Sequence, residues 1–356
     1  MQADGNPDRT WVEVDLEALR ANAREVQRRS GARLCPMVKA DGYGLGAVAI
    51  ARGLEPVDPW GFGVVTADEG RALREAGIAR RILVVQPTMV MLEALARDGL
   101  TPVLGGVGDV RRWRSVAADT PFHVGVDTGM NRGGIWWEAF ATESREFASA
   151  PGFEGLATHF HSAENNAASV REQWGRFQAC LGALPQRPAL VHAANSAAAL
   201  GYPEVTADLV RPGIFLYGGA VADHQPEPVI TWRARVARVA WREAGATVSY
   251  GATWTAPGRT CLLSVAAGYA DGVRRSVAGK GAMLVGGTRR PIVGAVTMDF
   301  TMLACDATPA EGAVATLIGA DGGATIGLDE FAAWAGTISY EILTGLGNRV
   351  KRVYTG

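Results

Sequence analysis

Apolar positions along this chain fall into short runs separated by stretches with helical spacing. Residues 11–14 form the first run. Asp15 can cap a helix whose Leu16, Leu19, Ala23 and Val26 share one face, with Gly31 ending it. Runs at 34–38, 61–65, 81–86, 100–104, 122–126, 153–160 and 189–193 read as strands. Between them, Thr66-x-x-Glu69 is a capping box opening a helix that stops at Gly77, and 89–98 carries a further helical pattern. Such alternation predicts parallel strands joined by crossover helices. The repeat count and size point to a (β/α)8 barrel, with a doubly wound sheet as the structural alternative.

After about residue 230 the texture changes. Arg233 and Arg235 alternate with apolar positions across 232–241. Residues 283–285, the pair Gly286-Gly287 and the run 292–298 resemble a hairpin. Helical signals are sparse until 328–334. The expected division is therefore a barrel over 9–230 and a separate, mostly β domain over 231–356. The 356 residues, 48% hydrophobic and 20% charged, suffice for two such cores.

Charge narrows the function. Lys plus Arg is 35 and Asp plus Glu is 36, a net of −1, which argues against a basic nucleic-acid footprint. Charges and glycines interrupt every apolar run before it reaches the roughly 20 residues that span a bilayer. The polar opening 1–9 lacks an apolar signal core. Cys35, Cys180, Cys261 and Cys305 are far apart and form no C-x-x-C pair. A reducing, cytoplasmic compartment follows as the expectation.

Lys39 follows the run 34–38, which in a barrel puts it at a strand's carboxyl end, where active sites gather. A lysine buried there can lose its charge and act as a nucleophile or form a Schiff base; the bland alternative is an ordinary rim lysine. Tyr43 follows four residues on, inside the glycine turn Lys39-Ala-Asp-Gly-Tyr43-Gly-Leu-Gly46. His159-x-His161 places two imidazoles on one strand face, and His192 could join them, which keeps a barrel metal hydrolase as a distant alternative. With only five histidines and no acidic ligand at metal-site spacing, no metal is assigned.

Taken in order, these motifs closely resemble the alanine racemase family over nearly the whole chain. Trp11-Val-Glu-Val-Asp15 is similar to its opening strand, and Val38-Lys39-Ala-Asp-Gly-Tyr43-Gly resembles its cofactor-lysine signature. Asp127-Thr-Gly-Met-Asn-Arg132, Thr158-His-Phe160, His192-Ala-Ala-Asn-Ser196, Arg211-Pro-Gly-Ile214, Gly268-Tyr-Ala-Asp-Gly272, Met298-Asp299 and Tyr340-Glu-Ile-Leu343 complete the series.

The resemblance implies a pyridoxal 5′-phosphate-dependent isomerase, a homodimer that interconverts L- and D-alanine on a barrel-plus-β-domain fold. It implies that Lys39 holds the cofactor through an imine and serves as one base. Tyr269 of the partner subunit would be the other, on the opposite face of Cα. A tyrosine with an unperturbed pKa of about 10 needs neighbours that favour its phenolate, and His159 resembles the residue linking Tyr269 to Arg211. Arg211 resembles the arginine facing the pyridine nitrogen, where a guanidinium that keeps its proton makes the ring a weaker electron sink than a carboxylic acid partner would. Tyr43, Asn195, Ser196, Gly213 and Ile214 are implied for the phosphate, and Arg132, Met298 and Asp299 for the substrate. Ser196 alone also reads as a helix N-cap and Asp299 as a turn-forming residue.

Four positions depart from the family pattern. Gly125 stands where a carbamylated lysine often orients the arginine; Leu45 stands where the family motif usually has histidine, Thr297 replaces a frequent cysteine, and Asn348 sits where some members place a tyrosine. A racemase or epimerase for another small amino acid such as serine, and a fold-related decarboxylase, are the alternatives. Arg132 opposes decarboxylation by pinning the carboxylate. A non-catalytic cofactor carrier would lack the β domain.

Overall fold

The computed structural model describes residues 9–310 and 312–356. It divides into two compact units. One spans Leu19–Leu216 with Ala220–Pro226; the other holds residues 9–18, Tyr217–Gly219 and Glu227–Gly356.

The first unit is an eight-stranded parallel barrel. Gly61–Val64, Arg81–Val85, Thr101–Leu104, Phe122–Asp127, Phe153–Ala157 and Leu190–His192 pair in that order, each parallel to the next. Arg33–Leu34 pairs with Leu209–Val210. Two further contacts close the ring. Met37 bridges to Gly63, and Asp208 and Arg211 donate their backbone N–H to Val191 and Ala194 at 3.0 and 2.9 Å. Closure excludes the doubly wound sheet. Gly61–Val64 and Thr101–Leu104 are buried at every position, which is why they read as continuous apolar runs rather than alternating ones. Cys35, Leu83, Val103, Ala157 and Leu209 pack as one interior cluster drawn from several strands.

The caps stand where the sequence placed them. Asp15 Oδ1 accepts from the Ala18 N–H at 2.9 Å at the start of the helix Leu16–Ser30. Thr66 Oγ1 accepts from Glu69 N and Glu69 Oε2 accepts from Thr66 N, opening the helix Ala67–Glu75.

The second unit is mostly β, built around the long strand Ile230–Arg242. That strand pairs antiparallel with Thr10–Asp15, Thr260–Val265 and Val314–Asp321. Thr10–Asp15 also pairs parallel with Lys351–Thr355. This revises the expected span of 9–230: the first strand belongs to the β unit, not the barrel. An apolar run of this length states that it is a strand, not which sheet takes it. The hairpin is also shorter than expected. Gly286 and Gly287, both at positive φ, turn Ala282–Val285 directly into Thr288–Pro291, before the apolar run 292–298 begins. A two-residue turn sets register by geometry, so even the polar stretch Thr-Arg-Arg-Pro is recruited.

Candidate active site

Lys39 sits on an uncommon backbone. Ala40, Asp41 and Gly42 have φ of 52, 52 and 62°, and Tyr43 follows at 56°, so the chain makes a left-handed turn just past the strand end. For the non-glycine residues this costs roughly 1–2 kcal/mol each. Hydrogen bonds offset it. Ala40 N–H donates to Glu69 Oε1 at 2.7 Å, Ala47 N–H to Asp41 Oδ1 at 2.9 Å, and Gly42 N–H to Val38 O at 2.8 Å. The Glu69 carboxylate, whose other oxygen caps the helix Ala67–Glu75, therefore also braces the lysine turn. Burial lowers the proton affinity of the Lys39 amine; Arg132 and Arg211 push the same way, and Glu69 opposes them. The net shift favours the neutral amine that a nucleophile or base requires.

Beside it stands a group of uncharged donors. Tyr43 is buried, and burial pushes its phenol up, so it keeps its proton. Ser196, also buried, accepts the Gly213 N–H on Oγ at 2.8 Å, which leaves its own hydroxyl proton to donate elsewhere. Asn195 is the N-cap of the helix Ser196–Gly201, with Oδ1 accepting from Ala198 N at 3.0 Å. Ile214 opens the 3-10 turn Ile214–Tyr217, where the first N–H has no partner within its own turn. Gly213 lies close to Tyr43: a Cβ there would come 2.2 Å from Oη.

Arg211, buried, anchors the next layer. Its Nη2 donates to Thr158 O at 2.7 Å and Ala193 O at 3.2 Å and meets His159 Nδ1 at 3.2 Å; its Nη1 bonds His192 Nδ1. Burial, followed by Arg211, Arg132 and Lys39, brings His159 down to about 3, and burial and Arg211 hold His192 well below the usual range. Both imidazoles are neutral at physiological pH. Burial lowers Arg211 itself to about 10, still a cation at neutral pH. The metal-hydrolase reading is set aside: His159 and His192 both face the Arg211 cation, while His161 is exposed and bonds Ser162 Oγ at 2.6 Å. Among the described residues no group of three or more His, Cys, Asp or Glu side chains is placed to hold a metal ion.

Arg132 is exposed on a loop shaped by Asp127, whose Oδ1 accepts from Gly129 N and Asn131 N, both at 3.0 Å. Among the described residues none holds Arg132 by a hydrogen bond or ion pair. A Cβ at Gly125 would make only ordinary contacts, 3.5 Å to Leu104 O and 3.6 Å to Val103 Cγ1. A longer side chain at this position would therefore not be crowded at its first carbon.

The β unit carries the remaining candidates. Tyr269, 44% exposed, opens the 3-10 turn Tyr269–Asp271. That turn is bonded to the loop carrying Met298 and Asp299. Tyr269 N–H donates to Thr297 O at 2.9 Å and Ala270 N–H to Met298 O at 3.1 Å. A Cβ at Gly268 would lie 2.4 Å from both the Thr297 and Met298 carbonyls, so only glycine permits this approach. Asp271, fully buried, accepts from Gly268 N at 2.8 Å and from Arg349 Nε at 2.7 Å. Arg349 Nη2 also reaches Asp299 Oδ1 at 2.7 Å and Met298 O at 3.3 Å. Asp299 is thus ion-paired, and its backbone carbonyl accepts from Arg9.

Sequence reasoning did not single out Glu69 for the lysine turn, nor Asp271 and Arg349 for the tyrosine turn, nor His123 and Glu154, described below. Only Glu69 left a local signal, the capping box, and that signal spoke of a helix.

Comparison with known proteins follows the same lines. A family model described as the alanine racemase N-terminal domain matches residues 14–221, and one described as the alanine racemase C-terminal domain matches 229–354. The chain is 40% identical to an alanine racemase of Symbiobacterium thermophilum over 98% of this chain and 97% of that protein. It is 39% identical to one of Carboxydothermus hydrogenoformans, over 97% and 99%. Among solved structures, alanine racemase from E. faecalis matches with a TM-score of 0.92 at 30% identity, covering 100% of both chains. The Bartonella henselae alanine racemase, described with covalently bound pyridoxal phosphate, matches with a TM-score of 0.89 at 28% identity over 98% of this chain and 100% of that one.

Proposed function

The chain belongs to the alanine racemase family, and we propose that it interconverts L- and D-alanine with pyridoxal 5′-phosphate, as a homodimer whose sites each take Tyr269 from the partner subunit. The observation that carries this reading is Lys39: an amine biased toward neutrality by burial and two arginines, held at a barrel strand's carboxyl end by a braced left-handed turn.

The donor set fits the cofactor. Phosphate is an anion, and it would be met by the Tyr43 and Ser196 hydroxyls, both protonated, and by the Ile214 N–H. Gly213 gives Tyr43 its room. Arg211 would face the pyridine nitrogen and, holding its own proton, would not pass it on. Lys39 would carry the covalent link. When bound, the cofactor supplies the electron sink that lets a hydrogen leave the substrate Cα as a proton.

The chain's own residues do the rest. Neutral Lys39 takes or returns a proton at one face of Cα. Tyr269 of the partner subunit does so at the other, with its turn tied to the Met298 loop. Arg132 receives the substrate carboxylate, which resists loss of CO2. Four free, buried cysteines support a cytoplasmic site of action, and no helix among the described residues is long and apolar enough to cross a membrane.

Solvent deuterium incorporation tests the reading. L- and D-alanine incubated with the enzyme and cofactor in deuterium oxide should both racemise and gain label at Cα. Lys39→Ala should abolish both the reaction and the visible absorption of the bound cofactor. A wild-type protein that exchanges label into neither enantiomer, or a Lys39→Ala variant with an unchanged spectrum, overturns it.

A further inference from the structure

Behind Arg211 the structure holds a chain of side chains that the mechanism above does not use. Arg211 Nη1 bonds His192 Nδ1. His192 Nε2 lies 2.7 Å from His123 Nδ1. His123 Nε2 lies 3.3 Å from Glu154 Oε2, and Glu154 is ion-paired to Arg81. Arg211 follows the end of the strand Leu209–Val210 and His192 ends Leu190–His192, whereas His123 and Glu154 lie near the starts of Phe122–Asp127 and Phe153–Ala157. The chain therefore descends from the carboxyl ends of the barrel strands toward their amino ends.

Its polarity is forced. A guanidinium has donors only, so His192 Nδ1 must present a lone pair. His192 then carries its proton on Nε2 and donates it to His123 Nδ1. His123 in turn carries its proton on Nε2 and donates to the Glu154 carboxylate. Any other tautomer sets two N–H groups head to head or points a lone pair at the carboxylate. Both imidazoles are fully buried, and this arrangement satisfies all four ring nitrogens. Space is made for it: a Cβ at Gly155, which pairs with His123, would lie 2.5 Å from His123 Nδ1. The Trp60 ring lies 5.9 Å from the His123 ring and is itself covered by the Arg81 guanidinium.

We propose that His192, His123 and Glu154 are positioning residues for Arg211, a one-directional hydrogen-bond relay in which the guanidinium sets the tautomer of two imidazoles and the Glu154 carboxylate at the far end polarises them and so holds the guanidinium that faces the cofactor ring. This rests on the racemase reading for the role of Arg211. The relay itself exists independently of it. Glu154 acts through two intervening rings and touches no reacting atom.

The test uses the full-length chain with 15N-labelled histidine, whose five signals can be assigned one at a time by single substitution. In the wild type, His123 and His192 should each show one protonated Nε2 and one unprotonated Nδ1. Glu154→Gln keeps the size of the side chain and removes its charge. Arg211 still sets both tautomers, but with the carboxylate charge gone the imidazoles are less polarised: the Nε2 signals of His123 and, two links away, His192 should shift, and kcat should fall in both directions by on the order of tenfold with little change in the KM for alanine. His123→Phe, which cuts the relay in the middle, should lower kcat at least as far. A His192 signal unchanged in Glu154→Gln refutes the relay, and so does an unchanged kcat in both variants. If the wild-type chain shows no racemisation, the functional reading fails while the tautomer measurement still decides the relay.

Discussion

Arg349 is the place to ask whether the tyrosine turn and the Met298 loop act as one piece. Its guanidinium bonds the buried Asp271 through Nε at 2.7 Å and Nη2 at 3.2 Å, and reaches across to Asp299 at 2.7 Å. Arg349→Met removes the cation and keeps much of the apolar stem. Stripping one partner from a buried ion pair costs about 3–5 kcal/mol. The Arg349 side chain is 43% exposed, so water can reach the vacated side, and Asp271 keeps its bond from Gly268. About 2–3 kcal/mol is the scale we expect. The Asp299 pair is 43% exposed on both sides and adds no more than about 1 kcal/mol. Arg349→Lys retains a charge but offers a single ammonium in place of a fork, so it should recover part of the loss. The midpoint of urea unfolding measures stability; kcat in both directions measures alignment, for which a displacement of about 1 Å can cost on the order of 100-fold. Cofactor affinity, which in the proposed reading draws on barrel residues, should be unchanged. An Arg349→Met protein with wild-type midpoint and wild-type kcat refutes the clamp.

Tyr269→Phe should slow racemisation about 100-fold or more and equally in both directions, because two enantiomers have equal free energy; exchange of solvent deuterium into unreacted substrate should nevertheless survive for the one enantiomer whose Cα hydrogen faces Lys39. Equal loss of exchange from both enantiomers contradicts two bases. Gly213→Ala puts a methyl 2.2 Å from the Tyr43 hydroxyl and must displace a buried ring; we expect about 1–3 kcal/mol of lost stability and weaker cofactor binding by fluorescence titration, and a variant that binds as tightly as the parent speaks against a built phosphate pocket. Burial raises the Glu154 carboxyl, but the bonds from His123 and Arg81 outweigh it and bring it down to about 2, from an ordinary value of 4.5. Because the folded value is the lower one, Glu154 stabilises the fold fully above about 4.5 and loses that contribution as pH falls toward about 2. Unfolding midpoints measured across this window should fall less steeply for Glu154→Gln; parallel curves would contradict the depressed value.

Much of the barrel was legible because its signals are local. The capping box at Thr66 and Glu69, the Asp15 cap and the continuous apolar runs of doubly buried strands each span a few residues. The first strand was assigned to the wrong unit for the same reason: nothing in Thr10–Asp15 reveals that its partner is Ile230–Arg242 rather than a barrel strand. The hairpin arm shifted because a Gly-Gly turn sets register regardless of which residues follow it. Among the candidate residues, Lys39, Tyr269 and Arg211 stood out through motif order. Asp271 with Arg349, and His123 with Glu154, did not, since each pairs groups from separate segments.

The sequence by itself determined which segments become strands and helices, where the turns break, and which reactive side chains follow strand ends, because sterics, capping and hydrophobic period act over a handful of neighbours. Only the tertiary structure decided which sheet the first strand joins, that the lysine turn is left-handed and braced by Glu69, and that two histidines link an arginine to a carboxylate down the inside of the barrel. Those depend on distances between residues remote in the chain, and a buried polar group finds its partner only when the surrounding core has excluded water.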